Sequence, residues 1–167
     1  MAIEIRQARP EEYDEAGRVT ELAYREFAPP GDEGWEGYLR RLGDVRGRAG
    51  RTLVLVAVDD GRVLGTATLE LEQRIEEDDD PPLPLGEAEI RMVGVLPEAR
   101  GRGIGRALME ACLQEAREAG KTLVTLHTTK RMRTAQRMYE AMGFERGPDR
   151  VFENGFVLLS YSLPLPG

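Results

Sequence analysis

The sequence predicts a mixed α/β fold organised around a central strand–loop–helix unit. Three observations carry that expectation. Strand-like and helix-like runs follow the order β-α-α-β-β-β-α-β-α-β, and one glycine-rich turn joins an apolar run to a strongly helical one. Neither an internal repeat nor a break in composition divides the 167 residues. That length holds one sizeable core and is short for two, so a single domain over residues 1–167 is expected.

Ile3 to Gln7 alternates apolar and polar residues, as a short strand does. Pro10 suits the first turn of a helix, with Glu11 and Glu12 near its positive end. The helix should run to about Phe27, where Pro29-Pro30-Gly31 stops it. Trp35 to Leu42 predicts a second, shorter helix ahead of a Gly- and Arg-rich segment, Gly43 to Arg51. Thr52 to Val58 and Val63 to Leu71 are strand-like runs flanking Asp59-Asp60-Gly61-Arg62, a hairpin signal with a loop of two residues or more.

An acidic run, Glu76 to Asp80, and Pro81, Pro82 and Pro84 separate the hairpin from a strand at Ala88 to Leu96. The helix after the glycines is expected from Ile104 to about Ala119. Leu108, Ala111, Cys112, Ala116 and Ala119 mark its apolar face, and Gly120 its stop. Lys121 to Thr128 reads as a strand, Thr134 to Met142 as a helix ended by Gly143, and Val151 to Leu163 as a closing strand.

Composition removes several function classes. The chain is 41% hydrophobic and 32% charged, with a net charge of −7, which argues against nucleic acid because a phosphate backbone needs a basic face. Cys112 is the only cysteine and His127 the only histidine, so no zinc cluster, disulfide or multi-histidine metal site is expected. The first residues lack an apolar signal region, and no run approaches the ~18 residues of a membrane span. The expected location is cytoplasmic, without a membrane partner.

The richest stretch is Arg100-Gly101-Arg102-Gly103-Ile104-Gly105, between the apolar strand and the helix. Glycines there permit backbone conformations that side chains forbid, and the helix start presents unpaired N–H donors to an anion. Flanking arginines agree with a phosphate ligand. A dinucleotide fingerprint fails because its third glycine falls on Arg106. The P-loop tail Gly120-Lys121-Thr122 fails because Glu115 stands where its glycine is needed, and a helix rather than a strand precedes it.

The pattern that fits is R-x-x-G-x-G, through Arg100, Gly103 and Gly105. Here the sequence resembles the GCN5-related N-acetyltransferase (GNAT) family. Arg91 to Met109 is similar to the family's central motif, and Thr134 to Phe144 to its A-x-x-x-Y-E-x-x-G-F segment. Strong similarity covers about residues 88 to 145. It implies a twisted, mostly antiparallel sheet of six or seven strands with about four helices. It also implies acetyl-coenzyme A as acyl donor, no metal, and an amine acceptor, either a small molecule or a peptide.

Carried onto these residues, the resemblance assigns the pantetheine arm to the main chain of Val93, Gly94 and Val95. The pyrophosphate falls to Arg100, Gly101, Arg102, Gly103, Ile104, Gly105 and Arg106. Tyr139 takes the place of the family's thiolate-protonating tyrosine. It also belongs to an apolar stripe with Ala135, Met138 and Met142, which fits a packed aromatic equally. Glu89 is the candidate base, partial burial being expected to raise its pKa, with Glu87 as alternative on the same face and a solvent-facing role for Glu89 also open.

Met132 stands where many members carry a cofactor-contacting asparagine; the cations beside it, Lys130, Arg131 and Arg133, could approach the cofactor's phosphates, with a solvated loop the simpler role. His127 reads as structural, and Cys112 as packing. Trp35 and Tyr38 are candidates for the acceptor pocket or, equally, for capping the core; the acidic run could attract a cationic amine, though an exposed surface is the simpler role for it. A non-catalytic acyl-coenzyme A-binding module on the same fold is the alternative function. Late-strand pairing between chains would give a homodimer.

Overall fold

Five α-helices and eight strands form among the residues described by this computed structural model, 2–27, 34–75, 82–153 and 155–166. In chain order they are β1 (Glu4–Gln7), α1 (Tyr13–Arg25), α2 (Gly34–Gly43), α3 (Val45–Arg48), β2 (Leu53–Asp59), β3 (Arg62–Glu70) and β4 (Glu87–Val95). Then follow α4 (Ile104–Glu118), β5 (Leu123–Thr128), α5 (Arg133–Ala141), β6 (Glu145–Arg146), β7 (Arg150–Val151) and β8 (Val157–Pro164). The sheet runs β1-β2-β3-β4-β5-β8-β6, with β7 on β8. Only the β4–β5 pair is parallel, so the mixed, mostly antiparallel sheet implied by the resemblance is present.

The additions to the expected elements are all short. Within the Gly- and Arg-rich segment, Asp44 accepts the Gly47 N–H at 3.0 Å and starts the single-turn α3. The closing strand begins at Val157, not Val151, because Arg150–Val151 folds back onto Leu158–Val157 as β7. The proposed proline stop at residues 29–31 and the acidic run at 76–80 lie outside the described residues.

The β2–β3 hairpin closes through two residues, since Asp59 already pairs with Arg62. Asp60 and Gly61 both hold positive φ, +49° and +76°, the type I′ geometry that matches strand twist. Neighbouring residues on β3 then show which helix covers which face. A Cβ on Gly65 would come within 3.0 Å of Ile104 and Leu108, so α4 packs directly there. The next residue, Thr66, shares a 2.7 Å hydrogen bond with Thr20 of α1 on the opposite face.

α4 buries Ile104, Leu108, Met109, Cys112, Leu113 and Ala116. The stripe is rotated from the expected one: Met109 and Leu113 lie inside, while Ala119 is exposed past the helix end. A helix facing a broad sheet buries more than a third of its surface, and each large apolar side chain so buried stabilises by roughly 1.5–3 kcal/mol.

β4 contains the irregularity that makes the site. Thr66 pairs with Gly94 but Thr68 pairs with Arg91, so β4 carries one extra residue, and Met92 sits there at φ +55°. The bulge reverses the alternation of the strand. Ala88 and Ile90 join the main core, whereas Met92 packs with Leu39 and Leu42 of α2, and Val93 and Val95 turn back to the main core. On its other side β4 pairs with β5 only from Glu87↔Leu123 to Ile90↔Leu126. Beyond Ile90 the two parallel strands diverge.

Candidate active site

The divergence of β4 and β5 leaves the last turn of β4 without a strand partner on that edge. Leu96 donates to Leu64 O at 2.9 Å, so alternation directs the groups of Gly94 toward β3 and those of Val93 and Val95 toward the gap. The chain leaves β4 through Pro97–Ala99 and enters α4 with Gly101 at φ +81° and Gly103 at φ +77°. Residues other than glycine are strained in that region. No side chain caps α4, and its first helical bond runs from Ala107 N–H to Gly103 O at 3.0 Å. The amides of Gly103, Ile104, Gly105 and Arg106 therefore precede the helix ladder and point outward, as an anion site requires.

These groups line a groove of about 430 Å³. Val93, Gly94, Val95, Arg100, Gly101, Gly103, Ile104, Gly105 and Arg106 all border it, as do Arg131, Met132 and Arg133 opposite. Arg102 does not; its guanidinium lies 3.4 Å from Asp59. Arg100 contacts the Glu26 carboxylate and donates to Ala23 O at 3.2 Å, tying α1 to the end of β4. Arg106 pairs with Glu110 at 3.1 Å. Such exposed pairs are weak and exchange readily for a phosphate. Of the cations beside Met132, Arg131 and Arg133 border the groove wall.

A second cavity, about 460 Å³, opens on the far side of the divergence. It is bounded by Trp35 and Tyr38, by Arg74, Glu89, Arg91 and His127, and by Arg150, Phe152 and Phe156. Tyr139, Met132 and Phe27 border both spaces, so the two cavities meet at Tyr139. That ring is 6% exposed and packs at 5.8–6.0 Å between Tyr161 and Phe144. Tyr139 is thus a packed aromatic that also borders both cavities. Burial, helped by Tyr161 and Cys112, pushes its phenol up to about 12, so it stays protonated.

Glu89 is 5% exposed and sits in a charge cluster. Arg74 donates to its Oε1 at 3.2 Å, and Arg91 Nε and His127 Nδ1 lie 3.8 Å from Oε2. Burial pulls this carboxyl upward, but His127, Arg91 and Arg74 together prevail and hold it below the usual carboxylate range. Burial acts in the expected upward direction, but these three neighbours outweigh it. Glu87, the alternative, borders neither cavity among the described residues. His127 is not sequestered in the core; its side chain is 35% exposed in the cavity wall. Cys112 is wholly buried, which pushes its thiol up to about 12 and leaves it inert packing.

Arg74, Arg150, Phe152 and Phe156 went unmarked in the sequence because they reach the cavity from distant segments. Arg91 had a signal, since strand alternation places it on the Glu89 face. No group of three or more His, Cys, Asp or Glu residues among the described ones could hold a metal ion, and no described helix is long and apolar enough to cross a membrane.

The sequence profile of the acetyltransferase (GNAT) family matches residues 16–144. This chain belongs to the GNAT family. Among curated relatives, it is 34% identical over 93 residues to a mycothiol acetyltransferase from Thermomonospora curvata, covering 56% of this chain and 28% of that protein. It is 29% identical over 116 residues to mouse N-acetyltransferase 8B, covering 65% and 47%. The chain thus spans less than half the length of these GNAT relatives.

Solved GNAT structures match over nearly the whole chain. The ribosomal-protein-S18-alanine N-acetyltransferase of Escherichia coli superposes with a TM-score of 0.70 at 20% identity, covering 99% of this chain and 97% of that one. PaiA N-acetyltransferase from Thermoplasma acidophilum, in complex with coenzyme A, gives 0.71 at 17% identity, covering 96% and 98%. At such identities the likeness establishes the GNAT fold.

Proposed function

We propose that this GNAT chain transfers the acetyl group of acetyl-coenzyme A directly to a primary amine, without a covalent enzyme intermediate. The observation that carries the reading is the meeting of two cavities at Tyr139. One leads to the outward-pointing amides at the start of α4, and the other to a wall of titratable side chains.

The amides of Gly103 to Arg106, with Arg131 and Arg133 across the groove, hold the donor's diphosphate. Val93 and Val95 offer main-chain groups to the pantetheine amides along the open edge of β4. A thioester held there faces the second cavity. The amine nitrogen attacks its carbonyl, the new N–C bond forms, and the C–S bond breaks. Tyr139 gives its phenolic proton to the leaving thiolate, a transfer suited to a group that is protonated at neutral pH.

Glu89 and His127 handle the amine's proton together. A carboxylate held below its usual range is a weak base, whereas the unprotonated nitrogen of the neighbouring neutral imidazole can accept a proton. His127 takes the proton, and Glu89, at its Nδ1, holds the ring and stabilises the imidazolium.

Calorimetry with coenzyme A and a thiol-release assay across an amine panel test the reading together. Saturable binding at micromolar protein and acyl-dependent thiol release are expected. Absence of binding overturns the proposal, and binding without turnover of any amine leaves the acyl-coenzyme A-binding module in its place.

A further inference from the structure

We propose that Tyr24, near the end of α1, is a further catalytic residue whose hydroxyl donates a hydrogen bond to the thioester carbonyl oxygen; this rests on the acetyl-transfer reading of the same cleft. As the amine nitrogen attacks, the carbonyl π pair moves onto oxygen, and a fixed donor aimed at that oxygen lowers the barrier. Tyr139 serves the leaving thiolate, His127 and Glu89 the amine's proton, and the open groups of Val93 and Val95 the pantetheine amides. None of them is committed to the carbonyl oxygen.

The packing of α1 on β4 brings Tyr24 to the reacting end of the strand. Gly94 lies between Val93 and Val95, and α1 approaches it so closely that a Cβ there would come within 2.7 Å of the Ala23 Cβ. Glycine permits this contact because it has no side chain to displace the helix. The same Cβ would lie 3.6 Å from Tyr24 Cε2, so the edge of the ring rests on β4 between the two residues assigned to the donor. Thr20, one turn earlier, ties the helix to β3 through its 2.7 Å hydrogen bond to Thr66. Among the described residues, Tyr24 lines the second cavity with Tyr139 but does not border the donor groove. It therefore meets the carbonyl from the side of the incoming amine, while Tyr139, bordering both spaces, meets the sulfur.

The ring is held against Leu39, Leu42 and Met92, which fixes its direction. Its hydroxyl nevertheless makes no hydrogen bond to protein among the described residues, whereas a buried phenol ordinarily has a partner. A fixed donor that opens on the cavity and has no protein acceptor is preorganised for a substrate oxygen. Burial, with Tyr38 and Tyr139 close by, pushes this phenol well above its ordinary range, so it donates without giving up its proton. The nitrogen lone pair forms the N–C bond, and the oxygen carries the displaced pair under the Tyr24 hydrogen bond. Return of that pair breaks the C–S bond, and Tyr139 protonates the thiolate.

Tyr24→Phe keeps the ring and its packing and removes only the oxygen. With an amine that the wild type acetylates, kcat should fall by about 10²-fold, loss of one oxyanion donor costing roughly 10²- to 10³-fold. Calorimetric affinity for coenzyme A, which has no acyl carbonyl, and the thermal midpoint should hold. The specific readout is the infrared carbonyl band of acetyl-coenzyme A, isotope-labelled at that carbon and bound without amine. The band should lie at lower frequency on the wild type than on Tyr24→Phe, and Tyr139→Phe should keep the wild-type position. A wild-type kcat in Tyr24→Phe, or a carbonyl band that the substitution does not move, would overturn the role of Tyr24 while leaving acetyl transfer standing. If the wild type acetylates no amine in a broad panel, both readings fall.

Discussion

Replacing Tyr139 with Phe removes one oxygen and little else, which makes it the sharpest probe of the cleft. The ring is 6% exposed and held between Phe144 and Tyr161, contacts that phenylalanine preserves. Among the described residues its hydroxyl makes no protein hydrogen bond, so no buried partner is orphaned by the change. Stability should therefore move by no more than about 1 kcal/mol. The catalytic effect should be far larger. A positioned general acid contributes roughly 10²- to 10⁴-fold, or about 3–5 kcal/mol of barrier. Thiol release under saturating donor and acceptor measures kcat, calorimetry measures coenzyme A affinity, and a thermal melt measures stability. The expected pattern is a kcat lower by at least ~10²-fold with binding and melting nearly unchanged. A Tyr139→Phe enzyme with wild-type kcat would refute the acid role and leave Tyr139 as packing.

Gly103→Ala puts a Cβ into open space but at φ +77°, so strain alone opposes it. A loss of about 1–2 kcal/mol in denaturant unfolding, with weakened coenzyme A binding, is expected, and unchanged values would show that the loop does not need this conformation. Glu12, which receives two 2.7 Å hydrogen bonds from Arg6, is held down to about 2 from an ordinary 4.5. A depressed carboxylate stabilises the fold above about 4.5 and loses that contribution as pH falls toward about 2. Glu12→Gln should thus melt lower than wild type at pH 7, with the gap closing between those values; a constant gap would exclude the ionic cause. Cys112, wholly buried with its thiol near 12, should resist thiol reagents in the native state and react in denaturant. Rapid labelling of the folded chain would show α4 less tightly packed than described.

Short-range chemistry settled much of this protein. Asp60-Gly61 defines a two-residue turn because both residues tolerate positive φ. The alternating glycines specify an uncapped helix start because their backbone requirements are local. The motif around them identified the family. Tertiary structure decided the rest. The β4 bulge at Met92 depends on register against β3, which no local pattern encodes, and it changes which side chains share a face. The direction of the Glu89 shift depends on Arg74 and His127, separated from it by 15 and 38 residues yet adjacent in space. The second cavity is assembled from α2, β4, β5 and the β7–β8 hairpin, so its lining exists only once those segments pack together. Backbone geometry is dictated by near neighbours, while a pKa and a binding preference are sums over everything nearby, and only folding determines what is near.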